Sequence, residues 1–357
     1  MDRRGQNDGT SSLSQAQRFE LEQLENWLKL EIEGFEGPLK VERFNGGQSN
    51  PTYRLTTPKR TYVLRRKPSG PLLLGAHAVD RECRVTRALH SAGFPVPRPL
   101  ADCVDPGVIG GEFYVMEFVE GRIFWDAGFP GVGWEERPLY FDAMNKTIAR
   151  LHELNPEALG LIGYGKSGNY FERQIARWSK QYFADEEEAG RLPAMERLID
   201  WLHGHLPAQE EKDRIIHGDF RCDNMIFHPS DPQVIAVLDW ELSTLGQPLG
   251  DFAYHLMMYR LPENMIAGLA GLDLARLNIP DERSYVAAYC ARTGREDIQN
   301  LNFFVAFGMF RLAAIIHGIK ARLARGTASS RHAGSMTQLL EPLLEIALVQ
   351  IRTGDSA

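Results

Sequence analysis

The chain has 357 residues, 43% of them hydrophobic, with 40 basic side chains against 47 acidic ones and a net charge of -7 at pH 7. That length allows one large two-lobed unit or two domains, and the acidic balance argues against bulk nucleic-acid binding. No run has the length and apolarity of a membrane span, and no charged-then-apolar leader opens the chain. Cys83, Cys103, Cys222 and Cys290 are scattered, with no CxxC pair, as expected of free thiols in a reducing cytoplasm.

Residues 1–13 are polar and rich in Gly and Ser, so they are expected to be disordered. From Ser14 to Ile32, Leu21, Leu24, Leu28 and Ile32 repeat on one helical face. Two extended segments follow, flanking Asn45-Gly46-Gly47-Gln48-Ser49-Asn50. A turn of this composition lets backbone amides approach a phosphate closely. A strand is expected around Val63 and Leu64, then a helix with Val85 and Leu89 on one face, stopped by the proline-rich stretch after Phe94. Gly111 to Gly121 contains another apolar strand. Beyond it the pattern turns helical, with helices expected near 138–154, 169–184, 191–206, 250–259, 281–293, 299–325 and 333–352.

The stretch with the most chemistry is Ile215 to Leu242, which reads as strand, polar loop, short strand, turn, buried strand and acid. Asn224 lies five residues after Asp219, and Asp239 ends the apolar run Val234 to Leu238. That set suits phosphoryl transfer, where catalysis is mostly positioning and charge neutralisation. Asp219 would orient a hydroxyl and take its proton. Asn224 and Asp239 would offer oxygen atoms to a magnesium ion, which prefers hard ligands.

The sequence HGDFRCDN followed by LDWE resembles the aminoglycoside phosphotransferase and choline kinase family, relatives of the protein kinases. The resemblance spans roughly residues 30 to 350. It implies an α+β, bilobal, protein-kinase-like fold, with a small antiparallel β-rich N-lobe and a larger, mostly helical C-lobe. The expected divisions are 14–117 for the N-terminal helix and N-lobe and 118–357 for the C-lobe. ATP and Mg2+ are the implied cofactors. Asp219, Asn224 and Asp239 take the catalytic positions, the last two as metal ligands. Gly46, Gly47, Ser49 and Asn50 would cover the nucleotide phosphates. Arg65 stands where the family carries a lysine, and Glu82 would pair with it. Met116, Glu117 and Val119 look like the hinge that holds adenine.

Two other readings compete. Gly160 to Ser167 matches the pattern GxxxxGK[ST], but a helix end and not a strand is expected before it, so a P-loop NTPase is the weaker reading. A nucleotide-binding pseudokinase, acting as a regulatory module, is kept alive by Arg65. For the acceptor, only about a dozen residues separate Asp239 from Asp251, a short segment that points to a small molecule rather than a peptide. No acid occurs from Ile298 to Leu340, whereas Arg311, Arg322 and Arg325 do. These arginines are expected to bind an anionic ligand with an apolar part. Some proteins resembling this chain occur joined to acyl-CoA dehydrogenases, so a hydroxyacyl-CoA-like metabolite is the expected acceptor, with a link to acyl-CoA metabolism. Neither a nucleic acid nor a membrane is an expected partner.

Overall fold

A computed structural model describes residues 9–11, 20–45, 50–68, 78–208, 211–327 and 333–354. The chain forms two units: Met1–Trp125 with Leu159–Leu161 and Met225–Glu241, and Asp126–Ala158 with Ile162–Asn224 and Leu242–Ala357.

The elements of the first unit up to residue 117 are β1 (Thr10–Ser11), α1 (Leu21–Glu31), β2 (Lys40–Phe44), β3 (Thr52–Thr56), β4 (Thr61–Arg66), α2 (Val79–Ser91), β5 (Pro99–Cys103) and β6 (Phe113–Glu117). The strands form one sheet in the order β1-β2-β3-β4-β6-β5, with every neighbouring pair antiparallel. Alternation along the strands divides the core in two. Tyr62, Leu64, Phe113 and Val115 pack with Leu24 and Leu28 of α1. Val63, Tyr114 and Met116 pack instead with Val79 and Cys83 of α2. Residue 65 shares the face of residue 63, so Arg65 is directed to the α2 side. The expected disorder of residues 1–13 is corrected at Thr10 and Ser11, which pair with Phe44 and Arg43. The rest of that stretch, apart from Gly9, lies outside the described residues.

The second unit is mostly helical, as the α+β expectation requires. It contains α3 (Arg137–Glu153), α4 (Tyr170–Ala184), α5 (Glu186–Ala189), α6 (Pro193–Gly204) and the short strand β7 (Arg214–Ile216). The chain then returns to the first unit for the hairpin β8 (Met225–Phe227) and β9 (Val234–Val237), antiparallel to each other. Back in the second unit come β10 (Thr244–Gly246), α7 (Pro248–Leu256), α8 (Leu274–Leu277), α9 (Glu282–Thr293), α10 (Leu301–Ala324), α11 (Ala333–Thr337) and α12 (Leu340–Gly354). β7 and β10 pair antiparallel, which frames the loop that follows β7.

Two expectations need correction here. The single helix predicted over 333–352 is two, α11 and α12. Pro342 lacks the N–H that a continuous helix would need, whereas in the first turn of α12 that N–H has no helical partner to lose. The absence of a membrane-length apolar run is also overturned. α10 is long and apolar enough by length and composition, although 83% of its apolar window is buried inside the protein. A helix apolar on all sides is what a core position demands, and α10 packs against α4, α5, α6, α7, α11 and α12.

Candidate active site

In the second unit, the loop after β7 is held from beneath by Asp251 of α7, a fully buried acid. Its Oδ2 accepts the His217 backbone N–H at 2.8 Å, and its Oδ1 accepts that of Gly218 at 2.7 Å. His152 of α3 reaches the same carboxylate at 3.2 Å, with its other ring nitrogen 2.7 Å from the Tyr289 hydroxyl. Burial opposes ionisation of Asp251, but the His152 bond and these donors outweigh it and hold the carboxyl below its usual range. Gly218 sits at φ 85, and a Cβ there would fall 2.7 Å from the Leu242 carbonyl oxygen, so only glycine lets the loop turn this close to the chain entering β10.

This turn presents Asp219. Its carboxylate accepts Arg221 Nε at 2.9 Å and Nη2 at 3.3 Å, and Asn224 Nδ2 at 3.0 Å. The Tyr254 hydroxyl of α7 also reaches it. Asp219 is buried, yet Arg221 and the hydrogen bonds more than offset the desolvation, so the carboxyl stays below its usual range and ionised at neutral pH. A carboxylate has about four acceptor positions, and these four donors fill them, so an incoming hydroxyl would take the place of one of them. Asn224 Nδ2 also donates to the Asp219 carbonyl at 2.8 Å. The amide nitrogen is thus committed, and the amide oxygen is the end left to offer a cation.

His255 supports the loop from α7. Its Nδ1 donates to the Phe220 carbonyl at 3.1 Å, and the Tyr285 hydroxyl lies 2.7 Å from Nε2. Burial pushes its pKa down to about 4. A depressed folded-state value means the stabilising contribution is fully present above the unfolded pKa of 6.5 and is lost as pH falls through 4. Between those values the wild type is expected to lose roughly 3 kcal/mol more than His255→Gln, as read from urea midpoints at pH 7.5 and pH 4. Parallel curves would remove His255 as the cause.

In the first unit, Arg65 of β4 donates through Nη2 to Glu82 at 3.0 Å and to Asp239 at 3.1 Å. Glu82 is 2% exposed on α2, while the Asp239 side chain is 34% exposed. Burial works against the charge on Arg65, but the two carboxylates hold it protonated. Burial pushes the Glu82 carboxyl upward, and Arg65 pulls it back. Asp239 has φ 64, in the left-handed region that an aspartate tolerates better than most residues. It is anchored by buried Trp240, whose indole N–H donates to the Val237 carbonyl at 3.0 Å and whose ring meets Phe94 edge-on. On β6, Met116 faces Val63 across the sheet, and Glu117 pairs with Tyr62. Glu117 Oε1 accepts the Arg98 amide at 3.2 Å. Val119 is half-buried, just past the end of β6.

Gly46, Gly47 and Ser49 lie outside the described residues, whereas Asn50 is buried at the start of the chain into β3. The expected basic cluster is not assembled. Arg311 is 4% exposed inside α10; its guanidinium lies 4.7 Å from the centre of the Tyr254 ring and hydrogen-bonds the Tyr170 hydroxyl. Arg325 is bound by Asp185 and by Glu188 Oε1 at 2.8 Å, so its charge is already matched. Arg322 is at the same distant end of α10, and Asp185 also acts on it. At 1.5 Å per residue, roughly 20 Å of helix separates Arg311 from Arg325.

The P-loop reading is overturned too. The segment Gly160 to Ser167 follows α3 and a turn, with no strand before it. The Gly168 amide donates to Asp213 Oδ2 at 2.8 Å, where a phosphate cradle would leave its amides for an anion. Sequence reading missed Arg221, His152, Tyr254 and His255. Only Arg221, two residues from Asp219, carried a local signal.

The model of a phosphotransferase enzyme family matches residues 40–289. The chain belongs to the phosphotransferase enzyme family. It is 48% identical to a Ralstonia eutropha protein whose crystal structure was assigned to the aminoglycoside phosphotransferases; the TM-score is 0.84, covering 94% of this chain and 99% of that one. At 14% identity and a TM-score of 0.61, it shares its fold with an aminoglycoside phosphotransferase solved with AMP-PNP and hygromycin B, covering 94% and 99% of the two chains. The fold is therefore the kinase-like α+β fold. It is also 45% identical over 313 residues to mouse acyl-CoA dehydrogenase family member 10, covering 87% of this chain and 29% of that protein. The chain spans less than half the length of the curated relatives it matches.

Proposed function

We propose that this phosphotransferase transfers phosphate from ATP to a hydroxyl group of a small molecule. The observation that carries the reading is the ionised Asp219 carboxylate, fixed by Arg221 and Asn224 on a loop that Asp251 holds rigid. Asp219 orients the acceptor hydroxyl and accepts its proton as the oxygen–phosphorus bond forms. Arg65, kept charged by Glu82, is the cation for the nucleotide phosphates. It is not equivalent to lysine, but its fork can contact phosphate oxygens in pairs. Asn224 and Asp239 each offer a hard donor of the kind magnesium prefers, the amide oxygen of one and the second carboxylate oxygen of the other. When bound, magnesium neutralises charge on the phosphates. A hydroxyacyl-CoA-like metabolite is the favoured acceptor class. Its support is the likeness to acyl-CoA dehydrogenase family members, and not the arginines of α10.

Thermal stabilisation by Mg·ATP tests the nucleotide assignment. A ligand that binds only the folded state at a hundred times its Kd stabilises by about 2.7 kcal/mol. The shift is expected in wild type and in Lys166→Ala, and is expected to vanish in Asp239→Asn. A shift that survives Asp239→Asn would remove Asp239 from the metal site. ATP turnover that depends on an added alcohol separates this reading from a pseudokinase, which would bind without turnover.

A further inference from the structure

A small cavity of about 20 Å³ opens beside the catalytic loop, wholly within the second unit. Arg221 and Tyr254, both partners of Asp219, line one side. The remaining wall is largely apolar: Cys222, Met257, Met258, Leu261, Ile266 and Ala267.

Its polar groups are already committed. Arg221 lies between Asp219 at 2.9 Å and Asp223 at 3.1 Å. Both ring nitrogens of His255 are engaged, with Phe220 and Tyr285. Tyr254 points its hydroxyl at Asp219, and burial pushes the Cys222 thiol up, keeping it protonated. A charged group entering the cavity would lose water and gain no free partner. A short hydrocarbon group loses nothing of that kind, and methionine walls adapt to its shape.

One wall is built under strain. Ile266 has φ 42 and Ala267 φ 55, a conformation disfavoured for any L side chain and most of all for a β-branched one. The segment is pinned: the Leu269 amide donates to the Met258 carbonyl at 2.7 Å, and the Ala270 amide to the Leu261 carbonyl at 2.9 Å. A Cβ on Gly268 would fall 2.1 Å from the Leu261 oxygen, so the segment closes tightly on the residues that line the cavity. Strain of this kind persists where surrounding structure enforces it, typically at ligand sites.

We propose that this cavity is a subsite for a small, uncharged alkyl group of the acceptor, and that Ile266 sets its size limit. The proposal rests on the phosphotransferase reading of Asp219. It is tested on the full chain with straight-chain alcohols from methanol to 1-hexanol as probes. Binding is read from methyl-labelled Met257 and Met258 by NMR, and turnover from ADP release with Mg·ATP.

In wild type, both methionine signals are expected to move, with Kd falling about fourfold per added carbon until the cavity is full. Ile266→Ala is expected to extend that trend to longer chains, and Ile266→Phe to end it at shorter ones, with ADP release following the same order. Methionine signals that ignore the alcohols, or a cut-off independent of residue 266, overturn the subsite. Alcohol-stimulated ADP release that ignores residue 266 overturns the subsite alone. Absence of ADP release with every alcohol, while the methionine signals still follow chain length, overturns the acceptor role and points to a fault in the phosphotransferase reading.

Discussion

Asp219→Asn is expected to lower phosphate transfer by about 10²- to 10⁴-fold, the usual cost of removing a general base. The substitution keeps the shape of the side chain and removes its charge. Asn224 can still donate to the Asp219 backbone carbonyl, so the turn from Asp219 to Asn224 keeps one of its two ties. Arg221 loses one acid but retains Asp223 at 3.1 Å, which limits the cost to folding. The change should therefore fall on kcat, with thermal stabilisation by Mg·ATP maintained. Initial rates of ADP release, measured beside the nucleotide-induced shift in melting temperature, separate the two effects. A rate within a few-fold of wild type would exclude Asp219 as the base. Loss of the thermal shift as well would mean that the variant damages nucleotide binding or folding, and the rate would then report something other than proton transfer.

Asp251→Ala is expected to destabilise the protein by about 3 kcal/mol or more, because three buried donors each lose an acceptor at about 1–3 kcal/mol apiece. Asp251 is fully buried, and the two backbone amides and His152 that it serves have no water to turn to. Asp251→Asn should be little better, because its NH2 group would face at least one of the two amides that now donate to oxygen. The pH dependence carries a sign. The folded-state pKa is lowered, so the contribution is present above the unfolded aspartate value and fades as pH falls through the folded one. The stability gap between wild type and Asp251→Ala, measured by urea unfolding, should thus be widest near neutrality and narrow toward pH 3 on the usual carboxylate scale. A gap that does not change with pH would argue that Asp251 acts by packing, not by charge.

The local chemistry was readable in the chain because it is carried by short-range spacing. Asp219 and Asn224, five residues apart, sit on one turn, and strand alternation placed Arg65 on the face that meets α2. Helix positions were readable for the same reason, since an amphipathic face repeats within a few residues. α10 was harder: its apolar residues run all the way round, so its sequence resembles a membrane span as much as a core helix, and only burial decides.

Charge balance belonged to the tertiary structure. Arg325 reads as a free cation in a stretch without acids, yet Asp185 and Glu188, some 140 residues away in sequence, neutralise it. The partners of Asp251, which are the His217 and Gly218 amides and the His152 ring, are set by contacts between segments far apart in the chain. The strain at Ile266 and Ala267 has no signature in residue type, since it comes from hydrogen bonds that close the segment onto Met258 and Leu261. The sequence determined which polar residues share the turn after β7, because their identity and spacing are local. The tertiary structure decided which charges stay available and which are spent, because that depends on contacts between segments far apart in the chain.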